Sequence, residues 1–410
     1  MPLHNRCRIC KTALPEPFLD LGTMPLANAF LSTEREFAQE ASYPLSVASC
    51  SSCGLVQLTY VVDAEQLFRR YRYVSSTSET VRRYAGELAE ELVRGYRWGP
   101  SDLVVELGSN DGLVLKEFQG RGVRVLGVEP ARNVAAIARS QGVPTVDEFF
   151  CDRTAESLLK EWGSASAILG RHVFAHIDDL HDFFQGVSKL LAPEGVLLIE
   201  VPYLGNLIAK MQFDTIYHEH LSYVSLKPVL TLCEPFGFQL VDVQPVALHG
   251  GSILLTIRRK DMGLATHSRL EQMLKEEEER RLTDPQNLKA FASRVFQWRE
   301  GFVQWIDQMI RSGAHLVGFG AAAKANTLLN FCPTVAQALS CILDRSCHKH
   351  GLYTPGTHRR VVDPERWATN GATHMLVLAW NFKEEIMAQM QPFARGGGRF
   401  IIPIPHPEVV

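Results

Sequence analysis

The stretch Phe213-Asp-Thr-Ile-Tyr-His-Glu-His-Leu-Ser-Tyr223 places two imidazoles, two carboxylates and two phenols within eleven residues. Its centre is Tyr217-His218-Glu219-His220. Histidine titrates near neutrality and can take and return a proton there. A phenol or an imidazole N–H can steady a developing oxyanion. The same residues could also form a polar loop that satisfies its own hydrogen bonds. In a helical turn Tyr217 and His220 share a face, whereas in an extended segment His218 and His220 do. Both arrangements stay open. Apolar Val196-Leu-Leu-Ile-Glu-Val-Pro202 just upstream predicts a strand, so the cluster follows a strand end in an α/β domain. Open α/β sheets gather ligands outside their strand C-termini.

A second set of chemical residues is near the N-terminus. Cys7-Arg-Ile-Cys10 and Cys50-Ser-Ser-Cys53 are two C-x-x-C knuckles, thirty-nine residues apart and followed by Gly54. Such knuckles converge four thiolates tetrahedrally on Zn²⁺. Four thiolates leave no open position, so this zinc is expected to be structural. The insertion between the knuckles carries turn signals at Gly22 and Pro25.

A third set surrounds a glycine turn. Asp102-Leu-Val-Val-Glu106-Leu-Gly108-Ser-Asn110-Asp111-Gly112 predicts a strand and a turn, followed by a helix through Phe118. The next strand ends at Glu129, twenty-three residues after Glu106, where an acid can accept ribose hydroxyls. A pyrophosphate would be repelled by Asp111 in this turn. A cationic, phosphate-free nucleoside such as S-adenosylmethionine suits it better. His172 and His176 sit four apart beyond the fourth predicted strand. A metal pair, a polar role for His176 at the cleft mouth and a structural histidine are the readings available there. His249-Gly-Gly-Ser252 is another candidate ligand-facing turn. A further strand–glycine–helix unit opens at His315, with Lys324, Asn326 and Thr327 on the first helix turn. Gly318, Gly320 and Asp344 hint at a dinucleotide site, but the third glycine is missing. Helix N–H groups with a lysine favour an anion such as a pyrophosphate.

The elements around these sets define an α/β chain. Ser75-Ser-Thr-Ser78 precedes an amphipathic helix from about Glu79 to Tyr96, and its hydroxyls can cap it. Ile253–Arg258, which continues the run Leu240–Ser252, predicts a buried strand. Charge-rich helices from about Ser268 to Arg311 break near Thr283-Asp-Pro-Gln286, and Lys275–Arg281 reads as a solvated face. The 410 residues, 46% apolar and 21% charged, suit a globular protein of two or three domains. A net charge of -3 argues against nucleic acid or an anionic membrane as the main partner. No apolar run approaches a bilayer span, and no hydrophobic leader opens the chain. A cytoplasmic location is expected, with the nine cysteines as thiols or metal ligands.

The Glu106-x-Gly108-x-x-x-Gly112 turn with Glu129 resembles the first motif of class I methyltransferases. Asp147, after Val146, is similar to the third-strand end that borders the donor adenine. The whole order of parts resembles the sugar C-methyltransferases that act on nucleotide-linked 4-keto deoxyhexoses. Cys7/Cys10…Cys50/Cys53, the Glu106–Gly112 loop, Glu219-His220, His249-Gly-Gly251 and Gly320-Ala-Ala-Ala-Lys324 carry that resemblance. It implies a zinc-binding module (1–65), an S-adenosylmethionine domain (66–260), a helical linker (261–312) and a C-terminal Rossmann-like domain (313–410). It implies His220 as base, Glu219 and Tyr217 beside it, His176 near the carbonyl, and Tyr73 facing the site. Glu106, Gly108, Asn110, Asp111, Gly112, Glu129 and Asp147 would hold the donor, and His249, Lys324, Asn326 and Thr327 the nucleotide sugar. O-methylation of a sugar or polyketide hydroxyl and a donor-binding assembly role are the alternatives. A monomer or small homo-oligomer is expected.

Overall fold

A computed structural model describes residues 4–71, 74–247, 250–367 and 371–410, so Tyr73 and His249 lie outside the described residues. Strands β1 (Leu19–Pro25), β2 (Ser42–Ser49) and β3 (Val56–Leu58) form an antiparallel meander between and beside the cysteine knuckles. Helix Glu79–Tyr96 follows, started by the Ser78 hydroxyl accepting Val81 N–H. It buries Val81, Ala85, Leu88, Ala89 and Leu92, the i, i+3/i+4 stripe that fixes an amphipathic helix to a core.

The central domain alternates strands and helices. β4 (Leu103–Leu107), β5 (Arg124–Val128), β6 (Thr145–Val146), β7 (Ala165–Arg171) and β8 (Leu191–Pro202) are all parallel. β9 (Ser222–Tyr223) leaves this sheet, whereas β10 (Phe238–Val246) and β11 (Ser252–Arg259) return as an antiparallel hairpin against β8. The spatial order is β10-β11-β8-β7-β4-β5-β6. The chain reverses direction across the sheet beside β4, which opens a crevice at its C-terminal end.

β9 pairs instead with β3 (Val56↔Tyr223, Gln57↔Ser222) and becomes the fourth strand of the N-terminal sheet. Helix Pro285–Arg311 then begins at Asp284, whose side chain caps Gln286 N–H, with Pro285 at its first turn. The preceding helix departs from a purely solvated face at one residue. Glu277 is buried and its carboxylate takes Leu226 N–H at 2.9 and 3.1 Å.

The C-terminal strands β12 (Leu316–Phe319), β13 (Leu339–Leu343), β14 (Val361–Val362), β15 (His374–Val377), β16 (Arg399–Ile402) and β17 (Glu408–Val409) lie in the order β14-β13-β12-β15-β16-β17. All neighbours are parallel except β16 and β17. This Rossmann-like domain shares one apolar core with the N-terminal sheet. Leu19, Phe30 and Leu45 join Phe319, Leu328 and Phe331 in it, with Phe213, Ile216 and Leu221 between them. No helix among the described residues is long and apolar enough to cross a membrane.

One buried polar contact fastens that junction. Asn326 is fully buried and donates Nδ2–H to Ala27 O at 2.6 Å. Asn326→Ala would leave a buried carbonyl unpaired and should cost ~1–3 kcal/mol. Thermal unfolding should show a lowered Tm; an unchanged Tm would mean the junction relaxes around the loss.

Candidate active site

β4 delivers the donor loop. Its alternation is wholly buried, so Glu106 sits beneath the crevice with its Oε2 lacking a partner. Gly108 has φ +63°, and a Cβ there would lie 3.0 Å from Val173 Cγ2. Gly112 has φ +78° and opens helix Leu113–Gly120; a Cβ there would press on Val143 at 3.1 Å. Both positions require glycine. Glu129, after β5, accepts N–H groups from Asn110 and Ala131, each at 2.8 Å. Asp111 is buried, with Oδ2 taking Ser76 N–H and Oδ1 unpartnered. Burial raises Glu106 to about 8, against the pull of Arg171. Unpaired buried carboxylates of this kind are costly alone, and a cationic ligand relieves that cost. The residues therefore fit S-adenosylmethionine.

The segment before helix Glu79–Tyr96 covers this loop. Ser75 N–H donates to Asn110 Oδ1 at 3.0 Å, and Ser78 of the hydroxyl run acts as the helix cap. Arg69 donates to the Asp147 carbonyl at 3.1 Å and stacks 4.7 Å over Phe149. Asn133 exchanges hydrogen bonds with the Tyr71 backbone. Arg69 and Asn133 had no motif to mark them in the sequence.

Residues 217–220 form a turn closed by His220 N–H to Tyr217 O at 2.9 Å. This chooses between the two sequence readings. Tyr217 and His220 share a face, with ring centroids 4.0 Å apart and Tyr217 Oη 2.8 Å from His220 Nε2. His220 Nδ1 lies 2.8 Å from Thr215 O, which can only accept. The proton is thus assigned to Nδ1, leaving the Nε2 lone pair to accept from Tyr217. Burial lowers His220 to about 4, opposed by Thr215 O and reinforced by Lys324. His176 stacks on His220 at 5.2 Å and on Phe68 at 5.2 Å. Its buried Nε2 has no partner, and burial holds it well below the ordinary histidine range.

Glu219 points to the other side. It takes Asn28 Nδ2–H at 2.7 Å and the Tyr71 hydroxyl at 2.9 Å. Burial raises it to about 7, opposed by those two donors. His218 donates Nε2–H to the Tyr43 and Pro44 carbonyls of β2, each at 3.2 Å, and so anchors the turn to the N-terminal sheet. His172 and His176 do not share a helix: β7 ends at Arg171, and His176 closes a short 3-10 turn. His172 instead donates to Glu200 at 2.9 Å, beside Arg171 at 3.1 Å.

From the C-terminal domain, Lys324 brings a positive charge within electrostatic reach of His220. Its ammonium donates to Asn381 Oδ1 at 2.6 Å and lies 4.4 Å over the Trp380 ring. Asn326 is engaged with Ala27, and Thr327 Oγ1 with Ala323 O at 3.4 Å. Asn326 thus ties the C-terminal domain to the N-terminal module and Thr327 bonds within its own helix, whereas the charge of Lys324 bears on His220. The crevice of the C-terminal sheet is filled by its own residues. Asp344 accepts Ala321 N–H at 2.7 Å, Lys349 donates to Ala321 O at 2.8 Å, and a Cβ on Gly320 would lie 2.6 Å from Ala379 Cβ.

The four cysteines converge as their spacing implies. Their sulfurs all lie within 4.8 Å of one another, with Cys7–Cys53 at 3.5 Å and Cys10–Cys50 at 3.4 Å. Gly54, at φ +80°, turns the chain after the second knuckle. Four buried or half-buried thiols fit a zinc ion with no open position.

Sheet order, acidic glycine loop and tetrathiol module define an S-adenosylmethionine-dependent methyltransferase with a zinc-binding domain. Comparison with known proteins gives the same class. A family described as a C-methyltransferase C-terminal domain matches residues 247–405, a zinc binding domain 7–68 and a methyltransferase domain 68–243. C-methyltransferase NovU of Streptomyces niveus is 36% identical over 406 residues, covering 99% of this chain and 97% of its own. Ubiquinone biosynthesis O-methyltransferase of Bartonella tribocorum is 28% identical over 99 residues, 23% of this chain and 39% of its own. Among solved structures, magnesium protoporphyrin IX methyltransferase of Synechocystis is 12% identical with a TM-score of 0.32, covering 43% of this chain and 79% of its own. The chain belongs to the C-methyltransferase family that includes NovU and carries these three domains.

Because β9 pairs with the zinc module's sheet, the metal should control the turn. Stripping zinc with a strong chelator should abolish turnover while donor binding, measured by calorimetry, persists. Restored activity on adding Zn²⁺ is expected; full activity of metal-free protein would break the link.

Proposed function

We propose that the enzyme methylates carbon next to the ketone of a nucleotide-linked, dTDP-type 4-keto-deoxy sugar. The observation that carries this reading is the half-buried Tyr217–His220 pair, with a free-base imidazole held beside a phenol. Carbon is not nucleophilic until it loses a proton, so a C-methyltransferase needs an enolising base. The bound sulfonium supplies an electrophilic methyl group.

His220 Nε2 would take the proton from the carbon α to the ketone. Tyr217, released from Nε2, would turn its hydroxyl to the keto oxygen and stabilise the enolate by a hydrogen bond. His176 stacks over the imidazole and excludes water from it. The electron pair left by the C–H bond forms the new C–C bond, while the S–CH₃ pair stays on sulfur. The imidazolium then returns its proton to solvent. Thr215 O holds the imidazole tautomer throughout, and Glu219, fixed by Asn28 and Tyr71, holds the turn. Lys324 supplies positive charge toward the nucleotide phosphates. Tyr73 is proposed to take part in catalysis and His249 in substrate binding.

With donor and a dTDP-4-keto-6-deoxyhexose, product NMR should show a C-methyl group, and unreacted substrate recovered from D₂O should carry deuterium at the same carbon. His220→Ala should lower kcat by about 10²–10⁴-fold while donor affinity stays. A base at about 4 is neutral above that pH, so the His220 acid limb lies there and not near 6.5. Methylation confined to oxygen, or exchange unaffected in His220→Ala, would refute the assignment.

A further inference from the structure

Asp214 is the first carboxylate of the Phe213–Tyr223 stretch, and nothing above gives it a role. It lies on the short 3-10 turn Phe213–Thr215, just ahead of the histidine turn, and it is fully buried. Its Oδ2 accepts the Trp380 indole N–H at 2.7 Å, and its Oδ1 has no partner. Trp380 comes from the C-terminal domain, after β15, and presents its ring face 4.4 Å from Lys324 Nζ. An indole N–H donated to a carboxylate gains electron density, and its face then attracts a cation more strongly. Carboxylate, indole and ammonium therefore form one chain across the boundary between the central and C-terminal domains.

We propose that Asp214 is a positioning residue that acts through Trp380 to keep Lys324 charged and fixed beside His220. This rests on the reading of Lys324 as the cation toward the substrate phosphates. The charged groups bearing on the ammonium are Asp214, which stabilises it, and His220, whose neutral form it favours in return. Burial lowers Lys324 to about 8 even with Asp214 present, so it has little charge to spare. Asp214, raised by burial to about 6, is still ionised in that range. Asn381 accepts from the ammonium and fixes its direction, which a neutral amine would hold less tightly.

The test compares wild type, Asp214→Asn, Lys324→Arg and the double variant. Asparagine keeps an acceptor for the indole but removes the charge, and zinc content with donor binding confirms folding. A lysine depressed in the folded state makes stability rise with pH between its folded value and its unfolded one, because the unfolded chain then holds more protons. Arginine stays charged and removes that rise. The Tm difference between wild type and Lys324→Arg, followed against pH, should begin its rise about one unit lower in the Asp214→Asn background. An unmoved onset overturns the proposal whatever the substrate is. With the dTDP-4-keto sugar, Asp214→Asn should raise KM about tenfold near ~pH 9, with kcat nearly unchanged, and Lys324→Arg should erase that effect. A fall in kcat alone would count against it. Absence of sugar turnover in wild type would refute the substrate reading, and the stability comparison would still decide the role of Asp214.

Discussion

The site depends on one short segment being hydrogen-bonded on both sides to separate domains. Leu221 N–H donates to Ala175 O of the central domain at 2.7 Å, and Leu221 O accepts Leu58 N–H of the N-terminal sheet at 3.0 Å. Two residues later the chain is already the outer strand of that sheet. His220 precedes this clamp directly. The clamp fixes the backbone beside His220 and Thr215 O fixes its imidazole, which is the rigidity that the proposed base requires. A loop free at one side would let the ring sample several directions, and few of them would meet a substrate carbon.

Electrostatics divides the cavity into two parts. On the donor side buried carboxylates gather with few cations, and Glu106 and Asp111 each keep an oxygen unpaired. On the histidine side two imidazoles are pressed toward the neutral form by burial and by His172, and Lys324 adds to that pressure on His220. Between them, burial alone would raise the Glu200 carboxyl, but Arg171, His172 and Tyr84 hold it well below the usual carboxylate range. This satisfied anion separates the hungry acids from the neutral bases. A cation is drawn to one half while a proton acceptor is preserved in the other.

Much of this was legible in the sequence because local patterns determine it. Cysteine spacing, the acidic glycine turn and apolar strand runs each carry their meaning within a few residues. Helix Glu79–Tyr96 with its Ser78 cap, and the break at Asp284-Pro285, followed from the same local rules. What stayed hidden depends on pairs far apart in the chain. Tyr71 and Asn28 meet Glu219 from 148 and 191 residues away. Glu277, inside a run of charge, is buried because Leu226 N–H needs an acceptor. Asn326 had the composition of an anion site, yet its amide holds two modules together, since the same polar atoms serve either use.

The three modules therefore do different work on a single turn. Through Asn28, Tyr43 and Pro44, the N-terminal module holds Glu219 and His218, which face away from the proposed chemistry. Through Trp380 and Lys324, the C-terminal domain reaches Asp214 and the side where His220 lies. The central domain supplies the donor loop and His176. If any one partner were withdrawn, the remaining polar atoms would be buried without hydrogen bonds, at a cost of about 1–3 kcal/mol for each. Assembly and site formation are in that sense the same event. A zinc ion held by the four cysteines would have no open position for substrate, and it would bear on the turn only through the sheet whose strand β3 pairs with β9.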